Sequence, residues 1–217
     1  EIVDVCKSRD LYIIEDAAQA VLARDNGHMV GTIGDISCYS FYPSKNLGCF
    51  GDGGMVLTDN DDLAMQVLRR SNYGQEEPHL HREIGYNSRL DSLQAAVLLS
   101  KLPHLEKWTT ARRRVASWYD ERLADIPVKR PVSAVGAEPV YHLYVIQVDN
   151  RDACLSYLRN HGVHAQVLRN GRAGQARVCR CGDDAWVICR PAPRLPAGST
   201  RSTSPPAWQR MRLAPHW

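Results

Sequence analysis

Lys45 is the residue whose neighbours best suit it to act as a nucleophile. It lies in Ser37-Cys38-Tyr39-Ser40-Phe41-Tyr42-Pro43-Ser44-Lys45-Asn46-Leu47-Gly48, and Gly51-Asp52-Gly53-Gly54 follows shortly after. A β-prone run ends at Ser40 and Pro43 breaks it. Small residues and glycines flank the lysine, which lets the backbone approach a ligand closely. A lysine amine condenses with carbonyl compounds when desolvation or a neighbouring cation lowers its pKa. Taken alone, the stretch reads more readily as a surface loop with a solvated lysine.

A second stretch bears on that choice. Leu11-Tyr12-Ile13-Ile14 is a short apolar run followed at once by Glu15-Asp16-Ala17-Ala18-Gln19-Ala20. The pattern predicts a buried parallel strand with polar groups at its carboxyl end, where open α/β sheets place their ligands. A carboxylate there can pair with a protonated pyridine nitrogen. A lysine with such an acidic partner is the binding pattern that pyridoxal phosphate (PLP) imposes. Asp16 reads otherwise as the N-cap of a following helix.

The motifs Glu15 to Ala20, Gly31-Thr32-Ile33-Gly34-Asp35, Ser40 to Gly48, Gly51 to Asp59 and Gly85-Tyr86-Asn87-Ser88-Arg89-Leu90-Asp91 occur in this order. Together they resemble the PLP-dependent sugar aminotransferases of the DegT/DnrJ/EryC1/StrS family over roughly residues 1 to 167. The resemblance implies an α/β fold: a fragment of the fold-type I (aspartate aminotransferase-like) PLP-dependent transferase large domain, plus the start of an α+β small domain. It implies PLP as cofactor and Lys45 as the catalytic, cofactor-holding lysine. Asp16 would sit at the pyridine nitrogen, Gln19 at the ring 3-oxygen and Ser40 at the phosphate, with Asn87 reaching the phosphate of the neighbouring subunit in a homodimer. The implied reaction is amination of a keto group on a nucleotide-linked sugar by an amino-acid donor such as L-glutamate. The wording of the motifs leans toward 3-keto sugars, and the presence of Lys45 disfavours the related dehydratases, which lack that lysine. The alternative is a truncated remnant with no activity, at most a dimerising module.

The elements that would position these residues can be read in order. Ile2, Val3, Val5 and Cys6 look like the tail of a helix running into the Leu11 strand, so the chain is expected to be part of a longer protein. Asp25-Asn26-Gly27 predicts a turn between two short extended pieces, and Met55 to Thr58 a strand. Asp59-Asn60-Asp61 offers an N-cap for a helix bearing Leu63, Val67 and Leu68, and Asp91 with Gln94 suggests a capping box. Pro103 ends that second helix. A long amphipathic one follows with Leu105, Trp108, Val115, Tyr119 and Leu123 at helical spacing. Asn87 by itself reads as a turn residue, and Arg112-Arg113-Arg114 as a solvated helix face. His79 and His81 read as loop histidines, so no metal is expected. Tyr141 to Val148 is predicted as a strand, Cys154 to Asn160 as a helix and Val163 to Val167 as a further strand.

Composition bounds the setting. The 217 residues are 44% hydrophobic with a net charge of +3, which gives no footprint for nucleic acid or membrane. No window has the apolar length of a membrane span, and Glu1-Ile2-Val3-Asp4 lacks the features of a signal peptide. Seven cysteines without a regular framework suit free thiols in a reducing compartment. A cytoplasmic location is expected.

Three regions are expected: 1–104 as the C-terminal part of the large domain, 105–167 as the linking helix and partial small domain, and 168–217 as an atypical tail. The tail holds many Arg and Pro, three of the five Trp, three of the seven Cys, and neither Lys nor Glu. It shows no apolar period, which argues against a packed strand or helix there. It reads as a shifted reading frame, as a disordered basic tail, or as a metal clip built on Cys179, Cys181 and Cys189.

Overall fold

Helix α1 (Ile2–Ser8) ends where Asp10 turns the backbone to φ +53° and Leu11 N–H donates to the Cys6 carbonyl at 3.0 Å. The chain then enters β1 (Ile14–Asp16). The computed structural model describes residues 2–167 and 186–189. They fall into two compact units, 2–111 with Ser133–His142, and Arg112–Val132 with the described residues from Leu143 on.

In the first unit, β2 (Arg24–Asp25) and β3 (His28–Met29) form a hairpin. Its turn residues Asn26 and Gly27 take φ +48° and +82°, the left-handed pair that Asn-Gly tolerates and that matches strand twist. Next come β4 (Ile36–Ser40), β5 (Gly54–Leu57) and α2 (Asp61–Ser71). Asn60 caps α2 by accepting from Leu63 N–H at 3.0 Å. A small hairpin follows, β6 (Gln75–Glu77) and β7 (Leu80–His81). After it comes α3 (Ser92–Lys101), which passes through a single 3-10 turn at Leu102–His104 into α4 (Leu105–Arg122). Pro103 lies in the first turn of that 3-10 segment, where its missing N–H has no partner to lose.

The principal sheet has the order β1-β4-β5. β1 runs parallel to β4 with Asp16 opposite Cys38, and β4 runs antiparallel to β5 with Ser40 opposite Gly54. Strand side chains alternate between faces. One face therefore carries Glu15, Ser37 and Tyr39, and the other Ile14, Asp16, Cys38 and Ser40. The first face packs: Ala17, Tyr39, Phe41, Leu47 and Cys49 form a core with Leu98 of α3 and Leu105 of α4. Each large apolar side chain buried there contributes about 1.5–3 kcal/mol. The second face is open, with Ile14 75% exposed.

That corrects one expectation. The strand begins at Ile14, three residues later than the Leu11 run predicts, and in this chain Leu11 and Tyr12 are 55% and 84% exposed. A parallel strand is buried when both faces are covered, and this sheet packs on one.

A second small sheet, β3-β2-β8, joins the hairpin to β8 (Ala137–Glu138). Asn26 N–H donates to the Gly136 carbonyl at 2.9 Å. Gly136 has φ +82°, a left-handed conformation that favours glycine.

The second unit is built from the later half of α4, β9 (Tyr144–Gln147), α5 (Arg151–Asn160), β10 (Ala165–Val167) and β11 (Trp186–Cys189). The strands form an antiparallel sheet of order β10-β11-β9. Its packing uses Ala116, Leu123, Tyr144, Ile146, Leu158 and Ala165, all buried. Tyr144 stacks on Tyr119 at 4.9 Å and donates its hydroxyl to Asp120 at 2.5 Å.

Three expectations change here. Tyr141 takes φ +44°, so β9 starts at Tyr144 rather than at residue 141. Arg112 and Arg113 are half-buried rather than solvated, and desolvation holds the Arg112 guanidinium below its usual pKa. Finally, Trp186-Val187-Ile188-Cys189 forms a strand where composition predicts none. Four residues of high β propensity suffice when ladders are offered on both sides. Cys179, Cys181 and the question of a shifted frame lie outside the described residues.

Candidate active site

Parallel pairing of β1 with β4 sets the first part of the site. Because Asp16 is in register with Cys38, Asp16 and Ser40 lie on the same open face at the carboxyl ends of adjacent strands. They are offset along the strands by two residues of rise, about 7 Å. Asp16 is exposed, and one carboxylate oxygen accepts from Ala18 N–H at 3.1 Å. No helix follows it, so Asp16 is not a helix N-cap. It bonds a turn and leaves its other oxygen to the open face. Gln19, also exposed, sits on that turn. Ser40 Oγ accepts from Tyr42 N–H at 3.3 Å.

Lys45 is presented by the loop from Phe41 to Cys49. Three backbone bonds close it: Lys45 N–H to the Tyr42 carbonyl at 2.8 Å, Cys49 N–H to the Phe41 carbonyl at 2.8 Å, and Phe41 N–H to the Gly53 carbonyl at 2.7 Å. Gly48 lets the loop fold back on itself, since a Cβ there would stand 2.6 Å from the Pro43 carbonyl oxygen and 2.9 Å from that of Tyr42. Side chains fasten it from outside. Lys101 Nζ donates to the Gly48 carbonyl at 2.5 Å, and Gln94 Oε1 accepts from Phe50 and Gly51 N–H at 2.8 and 3.1 Å. Asn46 Nδ2 donates to the Val140 carbonyl at 3.0 Å. Lys45 itself is half-buried, and no hydrogen bond or ion pair engages its amine among the described residues.

Asp91 occupies the N-cap position of α3 without a side-chain bond. The predicted capping box does not form, because Gln94 turns to the Lys45 loop instead.

Sequence reasoning gave Glu15 no role, yet it organises the strand end. Its carboxylate accepts from Gly31, Ile33 and Gly34 N–H at 2.8, 2.7 and 2.7 Å. Burial alone would raise its pKa, but these backbone donors outweigh it and the pKa falls below the ordinary value. Tyr39, which donates its hydroxyl to the Val30 carbonyl, has its pKa raised by burial and by the Glu15 charge. The signal for Glu15 was its place between an apolar run and a glycine-containing loop. Asn46 likewise stood unremarked beside the lysine. Its Oδ1 is buried with no hydrogen bond among the described residues.

Asp16, Gln19, Ser40 and the Lys45 loop thus gather around the carboxyl ends of β1 and β4. Asn87 does not join them. It is exposed, forms an isolated bridge with Asn72, and lines a groove of ≈ 1020 Å³ that borders the strand ends at Cys38 and Gly54 and includes Asp52, Val56, Leu68 and Arg89. Among the described residues no cluster of His, Cys, Asp or Glu is arranged to hold a metal ion, and no helix is long and apolar enough to cross a membrane.

The mixed α/β arrangement matches part of the fold of known aminotransferases. The Brucella abortus DegT DnrJ EryC1 StrS aminotransferase superposes with TM-score 0.79 at 32% identity, over 87% of this chain and 54% of that one. Streptomyces venezuelae DesV, solved in complex with a ketimine intermediate, superposes with TM-score 0.77 at 36% identity, over 86% and 54%. In sequence, the chain is 41% identical over 166 residues to the UDP-N-acetyl-3-dehydro-alpha-D-glucosamine 3-aminotransferase of Acidithiobacillus ferrooxidans, covering 76% of this chain and 45% of that protein. It is 44% identical over 154 residues to the dTDP-3-amino-3,4,6-trideoxy-alpha-D-glucose transaminase of Streptomyces venezuelae, covering 70% and 41%. Residues 1–176 match the family as a whole, and the chain belongs to the DegT/DnrJ/EryC1/StrS aminotransferase family. It spans less than half the length of these two curated relatives.

Proposed function

We propose that the Lys45 site binds pyridoxal phosphate and serves the amination of a keto group on a nucleotide-linked sugar, with an amino acid such as L-glutamate as donor. The observation that carries this reading is the placement of Asp16 and Ser40 on one open face at the carboxyl ends of paired parallel strands, with Lys45 on a tightly closed loop after the second. These residues fit the cofactor: an amine for its aldehyde, a carboxylate for its ring nitrogen and a hydroxyl for its phosphate. Bound pyridoxal phosphate supplies an electron sink for a carbanion. Asp16 would hold a proton at the ring nitrogen, Lys45 Nζ would hold the cofactor through its aldehyde and, when free, would move a proton at the donor carbon, and Gln19 would hold the ring 3-oxygen.

Asn87, apart from this cluster, is assigned to the phosphate of a second subunit, which makes the working protein a homodimer. The names of the curated relatives, two of them 3-amino-sugar enzymes, support a sugar ketone as substrate. Free thiols at Cys6, Cys38, Cys49 and Cys154 support a reducing, cytoplasmic setting. Residues 1–104 are assigned to the large domain, and 105–167 to the linking helix and small domain.

The test is conversion of bound pyridoxal phosphate to pyridoxamine phosphate by L-glutamate, read by chromatography. Conversion by the wild-type chain, its loss in Lys45→Ala and slow conversion in Asp16→Asn support the reading. No conversion by the wild type, or equal conversion by Lys45→Ala, contradicts it.

A further inference from the structure

Of the side chains that fasten the Lys45 loop, Asn46 is the one adjacent to the lysine, and it reaches furthest along the chain. Its Nδ2 donates to the Val140 carbonyl, 94 residues away and in the same compact unit, at 3.0 Å. This bond fixes the orientation of the amide, because a carbonyl acceptor requires the amino side. Val140 is 3% exposed, so the acceptor is held in a packed setting. The next residue, Tyr141, takes φ +44°, a left-handed conformation that a bulky residue keeps only where its surroundings enforce it. Asn46 Oδ1 remains buried without a donor.

We propose that Asn46 is a positioning residue for Lys45. By clasping the Val140 carbonyl it holds the Lys45 turn against the Val140-Tyr141 segment and keeps the lysine half-buried at the strand ends. This rests on the reading of Lys45 as the cofactor lysine, and it adds a residue that acts through Lys45 without touching the cofactor.

The test needs no cofactor. The full chain is reductively methylated with formaldehyde and cyanoborohydride, and the rate at Lys45 is read by peptide mass spectrometry against the exposed Lys107 and Lys129. In the wild type Lys45 reacts more slowly than these references. In Asn46→Leu its relative rate rises about fivefold, the effect of one lost hydrogen bond, and Asn46→Gln, which keeps an amide donor, partly restores the slow rate. Asn46→Ala also removes the donor and adds no charge beside the amine, so it gives the same rise even where Asn46→Leu folds poorly. A wild-type Lys45 already as reactive as Lys107 and Lys129, or an Asn46→Ala chain with the wild-type ratio, overturns the inference. Failure of glutamate to convert the cofactor while these ratios shift as expected counts against the cofactor reading alone.

Discussion

The amine of Lys101 donates to the carbonyl of Gly48, 53 residues earlier, at 2.5 Å. Helix α3 thereby holds the end of the loop that presents Lys45. With Gln94, on the same helix, accepting from Phe50 and Gly51, the loop is fastened from one rigid element. A site built this way keeps its geometry better than one left to loop residues alone.

Gly48→Ala breaks that arrangement from within. Its methyl group meets backbone oxygen atoms at 2.6 and 2.9 Å, and backbone cannot rotate away as a side-chain tip can. The expected cost is about 1–3 kcal/mol, read by urea unfolding, together with loss of selective pyridoxal phosphate attachment at Lys45. Unchanged stability and attachment would mean that the loop does not close as described.

Glu15 makes the fold sensitive to acid. Its folded pKa is depressed, so its contribution is present above the unfolded value, about 4.3, and is lost as pH falls through the folded value. Glu15→Gln turns one carboxylate oxygen into a donor facing the Gly31 to Gly34 N–H groups. It should cost about 1–3 kcal/mol at pH 7 and flatten the loss of stability below pH about 4.3. Thermal midpoints measured across the acid range check both effects. An equally steep acid limb in the variant would rule out this role.

Asp91 and Gln94 separate two readings of the same helix start. A capping box would make both matter to the helix end. Since Asp91 makes no cap bond and Gln94 holds the loop, Asp91→Ala should fall within about 0.5 kcal/mol of the wild type. Gln94→Ala should cost about 0.5–1.5 kcal/mol, since it removes hydrogen bonds to two N–H groups that are exposed or part-buried. Chemical denaturation of the two variants distinguishes them, and a larger cost at Asp91 would restore the capping box.

The site was legible wherever local chemistry dictates it. Pro43 and the glycines around Lys45 announce a tight loop, the polar run after Ile14 announces a strand end, and Asn26-Gly27 announces its turn. Long-range assignments were not legible. Nothing in a single sequence says that Gln94 leaves a capping box for Phe50, or that Asn46 finds Val140, because such bonds depend on how distant elements meet. The exposed Ile14 face shows the converse. Apolar content predicted burial, but burial requires a covering layer, and periodicity does not reveal how many faces are covered. For β11, the Arg/Pro-rich average of residues 168–217 hid a four-residue apolar run that pairs on both edges.

The central claim is that Lys45 is the amine that takes the cofactor. Its most direct test is borohydride reduction of the chain after titration with pyridoxal phosphate, followed by peptide mapping. The account predicts a pyridoxyl group on Lys45 at near-stoichiometric yield, with the exposed lysines Lys7, Lys107 and Lys129 largely unmodified. A label spread over those lysines, with Lys45 no more modified than they are, would contradict it.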